Sequence, residues 1–303
     1  MKTDLKVKLG KLVLKNPVMV ASGTFGYAQE FEDFMDLKKL GAVVTKTITI
    51  KPRQGNLPPR TCETPAGMLN SIGLENPGVD VFIKEKIPYL ASLGIPVIVS
   101  IASEENPDEF IFLAKKLDKI KCVYGLELNI SCPNMKKQSL ISQDAGSTFK
   151  VVSAARKATK KTLITKLSPN VTNITEIALA AENAGSDALS LINTLVGISI
   201  DIQTRKLRLG AGLGGLSGPA IRPVALNMVR ETYKKVKIPI IGMGGIMDAE
   251  SAIEFFIAGA SAISIGTANF IDPGISVDIL SGIERYLKEQ NIPKISYLTG
   301  SLR

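Results

Sequence analysis

The chain alternates short apolar segments with amphipathic segments along most of its length. Continuous apolar runs rich in valine and isoleucine are typical of strands that are covered on both faces, and such strands are parallel. Eight runs of this kind recur: Pro17–Ser22, Ala42–Thr47, Val97–Ala102, Gly125–Ser131, Leu163–Ser168, Ala188–Thr194, Ile238–Gly245 and Ala262–Ala268.

Segments with helical spacing of apolar residues lie between the later runs. We expect helices over Asp108–Leu117, Thr148–Thr159, Asn173–Ala184, Pro223–Val236 and Ala249–Ala258. Glycines that would end helices in the left-handed conformation precede several strands, at Gly41, Gly94, Gly185 and Gly259. Strands and helices in this alternation predict an α/β fold, a (β/α)8 TIM barrel that forms one domain over residues 1–303. A doubly wound open sheet is the alternative.

Two features are additional to the repeating pattern. Leu5–Asn16 alternates on either side of Gly10 and Lys11, which predicts an N-terminal β-hairpin at the bottom of the barrel. Two connections, 48–78 and 196–218, are longer than barrel closure requires. Long connections in a compact domain are usually functional, so we expect long active-site loops.

Polar residues collect at the carboxyl ends of the predicted strands, which form the active-site face of a TIM barrel. The start of a loop would explain the serines and glycines found there. It does not explain Lys46 and Lys166, because each stands inside an apolar run. Either lysine could form a Schiff base or act as a fixed cation for an anionic ligand.

Composition narrows the possible chemistry. The net charge is +9, but the lysines are scattered and aromatic residues make up 5% of the chain, so we expect no nucleic-acid partner. Three cysteines without a CxxC pair favour a reducing cytoplasm, and no apolar run is long enough to span a membrane. The absence of histidine excludes a Ser-His-Asp triad and a histidine-ligated zinc, and we expect no metal site.

Three glycine motifs suggest ligand contacts. Gly210–Gly215 has the spacing of a dinucleotide fingerprint, but it lacks a convincing preceding strand and a following acid, so we interpret it as a flexible loop. Gly242–Gly245 and Ile265–Thr267 end the seventh and eighth strands, where TIM barrels often bind phosphate. Tight turns are the alternative for these two motifs.

Cys132 ends the fourth strand, just before Pro133. A thiol has a pKa near ~8.5 that nearby cations can lower, so Cys132 is a candidate base or nucleophile. A packed, inert cysteine is the alternative, and we expect that role for Cys62 and Cys122.

Several motifs in order resemble those of class 1 dihydroorotate dehydrogenases over Leu5–Gly300. They are NSIGLENPG (Asn70–Gly78), NISCPN (Asn129–Asn134), SLINT (Ser190–Thr194), GGLSGPAIRPVAL (Gly214–Leu226), GMGGI (Gly242–Ile246) and IGTANF (Ile265–Phe270). The segment Thr45–Arg60 resembles subclass 1B.

The resemblance implies an FMN-dependent oxidation of dihydroorotate to orotate in pyrimidine biosynthesis. Cys132 would take the proton from C5 while hydride passes from C6 to the flavin, and Met135–Gly146 would form a lid. The implied substrate-binding residues are Lys46, Asn70, Ser71, Ile72, Gly73, Leu74, Asn129, Asn134, Asn193 and Thr194. The implied FMN-binding residues are Ser22, Lys46, Thr47, Ser100, Asn129, Lys166, Ile192, Gly218, Gly244, Gly245, Gly266 and Thr267.

The resemblance to subclass 1B also implies a partner. A separate subunit carrying FAD and an iron–sulfur cluster would pass electrons to NAD, in a heterotetramer built on a homodimer of catalytic chains. This chain has no cysteine cluster that could ligate an iron–sulfur group itself.

Two segments depart from the family pattern. Ser100 stands in a strand where the family usually has asparagine, and the lid sequence MKKQSLISQDAG is not glycine-rich. These departures keep open an FMN barrel that acts on another pyrimidine, or a non-enzymatic paralogue. A flavin-free lyase or isomerase that uses Lys46 or Lys166 as a Schiff base is a further hypothesis.

Overall fold

The structure is a computed structural model that describes residues 3–103, 106–130 and 141–303. In chain order its strands are β1 (Val7–Leu9), β2 (Leu12–Leu14), β3 (Val18–Val20), β4 (Ala42–Val44), β5 (Thr61–Thr64), β6 (Gly67–Asn70), β7 (Val97–Ile101), β8 (Val123–Asn129), β9 (Thr162–Lys166), β10 (Ala188–Leu191), β11 (Leu195–Gly197), β12 (Ile200–Asp201), β13 (Lys206–Leu207), β14 (Gly214–Ser217), β15 (Ile240–Gly242) and β16 (Ala262–Ile265).

The helices lie mainly between the strands. They are α1 (Val79–Val81), which continues through a π-helical turn (Phe82–Lys86) into α2 (Ile87–Ser92), then α3 (Asp108–Asp118), α4 (Ala145–Ala158), α5 (Ile174–Asn183), α6 (Arg222–Tyr233), α7 (Ala249–Ala258), α8 (Ala268–Ile271) and α9 (Ile275–Glu289). Single 3-10 turns occur at Gln29–Phe31, Leu37–Lys39, Ile141–Gln143, Pro219–Ile221 and Ile295–Tyr297.

Eight parallel strands close into a barrel in the order β3, β4, β7, β8, β9, β10, β15 and β16, and β16 pairs with β3 to complete it. Each of these strands overlaps one of the eight predicted runs, with β8 beginning two residues and β9 one residue before the predicted start. The TIM barrel is therefore confirmed and the open sheet is excluded. The strands are buried along nearly their whole length, because side chains fill the barrel interior on one face and helices cover the other.

The N-terminal hairpin is also confirmed. β1 and β2 pair antiparallel, and each has a buried–exposed–buried pattern. The hydroxyl of Thr162, the first residue of β9, donates to the carbonyl oxygen of Leu9 at 3.3 Å. Because the amino ends of the barrel strands lie at the bottom, this bond holds the hairpin against that end of the barrel.

The predicted helices occur, with boundaries that shift by up to three residues. The largest shift at an N-terminus is in α4, which begins at Ala145 rather than Thr148. The Asp144 carboxylate accepts from the amide of Ser147 at 2.6 Å and caps the helix there.

Three of the four helix-ending glycines behave as expected. Gly94, Gly185 and Gly259 have φ angles of 67°, 97° and 131°. The expectation for Gly41 was wrong, because its φ is not positive and a Cβ atom there would lie 2.2 Å from the carbonyl oxygen of Asn16. Glycine is required at position 41 by a close backbone approach rather than by a left-handed turn.

The two long connections meet in space. β5 and β6 come from the first, β11 and β14 from the second, and together they form a four-stranded antiparallel sheet in the order β11-β14-β6-β5. The interpretation of Gly210–Gly215 as a flexible loop was therefore wrong in part, because Gly214 and Gly215 are buried in β14. Within the described residues, no helix is both long enough and apolar enough to cross a membrane.

Gly242 offers a test of how closely helices pack on the barrel. A Cβ atom at this position in β15 would lie 2.5 Å from the ring of Phe255 and 3.1 Å from the Cβ of Ala260. We expect Gly242→Ala to lower the free energy of unfolding by about 1–3 kcal/mol because it overpacks this interface. Urea denaturation measures the change. Gly23→Ala is the control, since a methyl group there meets no atom within 4 Å, and equal stability of both variants would contradict the argument.

Candidate functional site

A cavity opens at the carboxyl ends of the barrel strands, beneath the four-stranded sheet. Its lining combines strand ends of the barrel with residues of that sheet. The predicted site residues that line it are Asn70, Ile72, Lys166, Ile192, Asn193, Thr194, Gly218, Gly244, Gly245, Gly266 and Thr267. The structure thus brings together residues that are as much as 197 positions apart in the chain, Asn70 and Thr267.

The two strand-end lysines lie in different surroundings. Lys166, the last residue of β9, lines the cavity and is 6% exposed. Its ammonium group donates to the hydroxyl of Ser22 at 3.4 Å. Lys46, two residues beyond β4, is half-buried, and its backbone amide donates to the carbonyl of Gly26 at 2.8 Å. Lys166 therefore presents a buried cation to whatever occupies the cavity.

Three predicted FMN-binding residues form a hydrogen-bonded group beside the cavity. The hydroxyls of Thr47 and Ser100 are 3.0 Å apart, and the Asn129 amide donates to Thr47 Oγ1 at 3.4 Å. All three side chains are buried. Serine at position 100 therefore supports Thr47, and through it the orientation of Asn129.

The segment 71–74 is held by the loop that precedes β5. The amide of Asn56 donates to the carbonyl of Ile72 at 3.0 Å, and its side chain donates to the carbonyl and hydroxyl of Ser71 at 3.1 and 2.9 Å. Arg53 donates to the carbonyl of Gly73 at 3.2 Å. Gly73 has a φ of 77°, and a Cβ atom there would lie 2.5 Å from Asn56 Oδ1. The loop thus fixes the backbone of the predicted substrate-binding segment.

A second set of hydrogen bonds fixes Asn193 and Thr194, beyond the end of β10. The amide of Thr194 donates to Asn193 Oδ1 at 2.8 Å. Asn170 donates to the carbonyl of Thr194 at 3.0 Å and accepts from the amide of Val196 at 2.9 Å. Sequence reasoning missed Asn170, although its place just after the fifth strand run is a signal that could have found it.

Glycine forms one wall of the cavity. Gly218, Gly244 and Gly245 have φ angles of 93°, 123° and 77°. A Cβ atom on Gly245 would lie 2.7 Å from Arg222 Cβ, and one on Gly218 would lie 2.6 Å from the backbone of residue 67. These close approaches leave backbone rather than side chain facing the cavity. Gly244 and Gly245 follow β15, and Gly266 follows β16. Exposed backbone at the ends of the last two barrel strands suits an anionic phosphate.

Sequence reasoning also missed Ser264. It lies in β16, lines the cavity and is 2% exposed, and its hydroxyl has no hydrogen-bond partner among the described residues. A buried polar atom without a partner indicates a site for a polar ligand. Further lining residues that the sequence did not single out include Thr24, Met68, Ser217, Ile221, Met243 and Phe270.

Two of the three cysteines, Cys62 and Cys122, lie within the described residues, and both are free thiols. Burial raises the pKa of the Cys122 thiol, which agrees with an inert role. Cys62 is partly exposed in β5 and donates to the carbonyl of Glu63 at 3.4 Å. Cys132 and Asn134 lie outside the described residues, as does the first half of the predicted lid, residues 135–140.

Comparison with known proteins gives one consistent result. Residues 4–287 match the family model described as dihydroorotate dehydrogenase. Proteins named "Dihydroorotate dehydrogenase B (NAD(+)), catalytic subunit" are 52% identical in Geotalea uraniireducens (99% of each chain), 52% in Trichlorobacter lovleyi and 53% in Pelobacter propionicus (both 100% of this chain and 99% of the relative). The chain belongs to the dihydroorotate dehydrogenase family.

Proposed function

We propose that this chain oxidises dihydroorotate to orotate with FMN, in pyrimidine biosynthesis, and that Cys132 is the catalytic base. The observation that carries the proposal is the cavity in which a glycine wall, a buried lysine and the Asn70 and Asn193 segments meet. Relatives at about half identity over the full chain carry a dihydroorotate dehydrogenase name, which supports the same reaction.

The cavity residues fit FMN. The backbone at Gly244, Gly245 and Gly266, with Thr267, would hold the phosphate, because glycine leaves the amides accessible. Ser264 has a buried hydroxyl that lacks a partner among the described residues and could bond to the polar part of the cofactor. When bound, FMN would supply the acceptor for the hydride that the substrate loses from C6.

The chain's own residues would supply binding, charge and proton transfer. Asn70 and Asn193 offer both donors and acceptors, which match the amide-like edges of dihydroorotate. Lys166 is a buried fixed cation, and such a group stabilises the negative charge that arrives with the hydride. Cys132 follows β8 by three positions, and in a chain without histidine its thiolate would remove the C5 proton.

The glycine wall favours this function over a flavin-free Schiff-base enzyme. A Schiff base needs a lysine amine beside a carbonyl substrate, whereas Lys166 lies in a cavity that also offers a phosphate-type site. An enzyme that acts on another pyrimidine is distinguished from a dihydroorotate dehydrogenase by testing which compound reduces the bound cofactor.

We also propose that electrons leave through a separate subunit that carries FAD and an iron–sulfur cluster and passes them to NAD. The relatives are named catalytic subunits of an NAD(+) enzyme, which supports a partner chain. The cysteine pattern without a CxxC pair supports a cytoplasmic location.

A homodimer of catalytic chains is supported by an exposed apolar surface on residues 196–207. Val196, Ile198, Ile200 and Ile202 alternate at strand spacing and are 48–79% exposed. Leu207 is directly opposite Ile200 in the β12–β13 pair and is also exposed. Alternating exposed apolar residues of this kind are typical of a surface that another protein covers.

The first prediction concerns the spectrum. The purified protein should be yellow, and anaerobic dihydroorotate should bleach its flavin absorbance. Cys132→Ala should keep the flavin and lose the bleaching, while Cys132→Ser should retain weak activity shifted to high pH because a hydroxyl ionises less readily than a thiol. Cys122→Ala is the matched control and should bleach normally. A flavin that dihydroorotate does not reduce in the unmodified protein would contradict the proposed substrate.

The second prediction concerns substrate positioning. Asn56→Ala removes two side-chain hydrogen bonds to Ser71, and we expect KM for dihydroorotate to rise roughly tenfold, equivalent to about 1.4 kcal/mol. The flavin content should not change. Asn227→Ala, at an exposed position of α6, should leave KM unaltered. A lower kcat with unchanged KM would argue against this role for Asn56.

The third prediction concerns assembly. Ile200→Asp places a charge in the apolar surface and should convert a dimer to a monomer, measured by sedimentation velocity. Phe112→Asp, at an exposed apolar position on α3, should remain dimeric. If both variants keep the size of the unmodified protein, this surface is not the dimer contact.

A further inference from the structure

Two charged side chains are buried inside the barrel. Glu127 is 2% exposed and Lys166 is 6% exposed, and among the described residues these are the only charged side chains in the buried class. One is an anion and the other a cation. Burial of an isolated charge is strongly unfavourable, so we expect each of these two charges to be compensated by the other.

The register of the strands places the two residues in successive layers of the barrel. Lys166 on β9 pairs with Asn129 on β8 and with Ser190 on β10. Glu127 precedes Asn129 by two positions on β8, so it faces the same side one layer lower. Lys166 lines the cavity, and this shared side is therefore the barrel interior.

The Glu127 side chain, on β8, reaches across β9, the strand that carries Lys166, to a residue of β10. Its Oε2 accepts from the hydroxyl of Ser190 at 3.0 Å. Because β9 lies between β8 and β10, this bond crosses the strand that carries Lys166, from the layer below the lysine to the lysine's own layer. The other oxygen, Oε1, has no hydrogen-bond partner among the described residues. No contact ion pair joins Glu127 to Lys166 in the described part of the chain.

Opposite charges in neighbouring layers attract even without contact, because the interior has a low effective dielectric constant. The hydrogen bond from Lys166 to Ser22 is long, at 3.4 Å, and joins the ammonium to a neutral hydroxyl. Ser22 therefore supplies no compensating charge, whereas the carboxylate one layer below does.

We propose that Glu127 is the counter-charge of Lys166 and a positioning residue for the site, held by Ser190 so that the ammonium faces the cavity. Glu127 itself stays below the cavity lining and acts through the lysine. It offsets part of the lysine's positive charge and so sets the electrostatic potential at the cavity floor. The pairing of the two charges stands on the barrel alone, whereas its effect on a flavin rests on the proposed function.

The first test measures urea unfolding of the full-length protein as purified, with the flavin content of each variant recorded. Glu127→Gln and Lys166→Met should each lower the urea midpoint of unfolding, because each leaves one charge buried without its opposite. The double variant should unfold at a higher urea concentration than Lys166→Met alone, since it buries neither charge. Additive losses in the double variant would overturn the pairing. If Glu127→Gln fails to fold, a folded double variant gives the same support, and a double variant that fails while Lys166→Met folds overturns it.

The second test uses the FMN-loaded protein and measures the reduction midpoint potential. Glu127→Gln should shift this potential to a more positive value, because the uncompensated cation stabilises the added negative charge. Glu182→Gln, which removes a carboxylate bonded to the amides of Lys237 and Ile238, is the control and should not shift the potential.

The two tests distinguish a failure of the proposed function from a failure of the proposed charge pairing. A protein that binds no FMN contradicts the proposed function, while the unfolding comparison still decides whether the charges are paired. An unchanged midpoint potential in Glu127→Gln, in a protein that dihydroorotate reduces, overturns the role of Glu127 and leaves the proposed function intact.

Discussion

Hydrogen bonding between neighbouring strands of the closed barrel determines which side chains face the interior and at what height. Lys166 is opposite both Asn129 and Ser190, and Ser100 is opposite Glu127. A slip of one residue in any strand would turn its inward set of side chains toward the helices. The cavity, its buried cation and the polar groups beneath it all depend on this register, because alternate residues of each strand supply them.

The barrel alone does not complete the site. Met68, Asn70 and Ser217 come from the four-stranded sheet that the two long connections build together. That sheet requires close backbone approaches: a Cβ atom on Gly215 would lie 2.1 Å from Thr194 Oγ1. Glycine at this position therefore serves packing of the sheet against the end of β10, and the sheet in turn closes one side of the cavity.

The interior of the barrel is apolar over most of its height but carries opposite charges near the active-site end. Natural proteins retain such groups where they orient a ligand or set a potential, because an apolar pair would pack at lower cost. The hydroxyl groups of Ser100, Ser190 and Ser264 lie in the same region of the barrel, and two of them bond to another side chain. The third, Ser264, has no partner within the described residues. This polar layer separates the hydrophobic floor from the cavity.

The sequence by itself determined the barrel, the N-terminal hairpin and nearly half of the residues that line the cavity. It could do so because a strand buried on both faces leaves a continuous apolar run, and because residues at the carboxyl ends of parallel strands must meet at one face. The motifs that carry the family resemblance lie in part at those strand ends and in part in the sheet that the two long connections form. The roles expected of the individual site residues remain predictions, and Cys132 and Asn134 also lie outside the described residues.

Only the tertiary structure decided how distant segments combine. It showed that Gly41 is needed for a close approach to Asn16, that Gly214 and Gly215 belong to a sheet, and that Asn56 holds Ser71. It also showed that Glu127 and Ser190, 63 positions apart, share a hydrogen bond across the strand that carries Lys166. Hydrophobic periodicity reports which face of an element is buried, but it carries no information on which neighbours that face meets, and these contacts are set by strand register and loop packing.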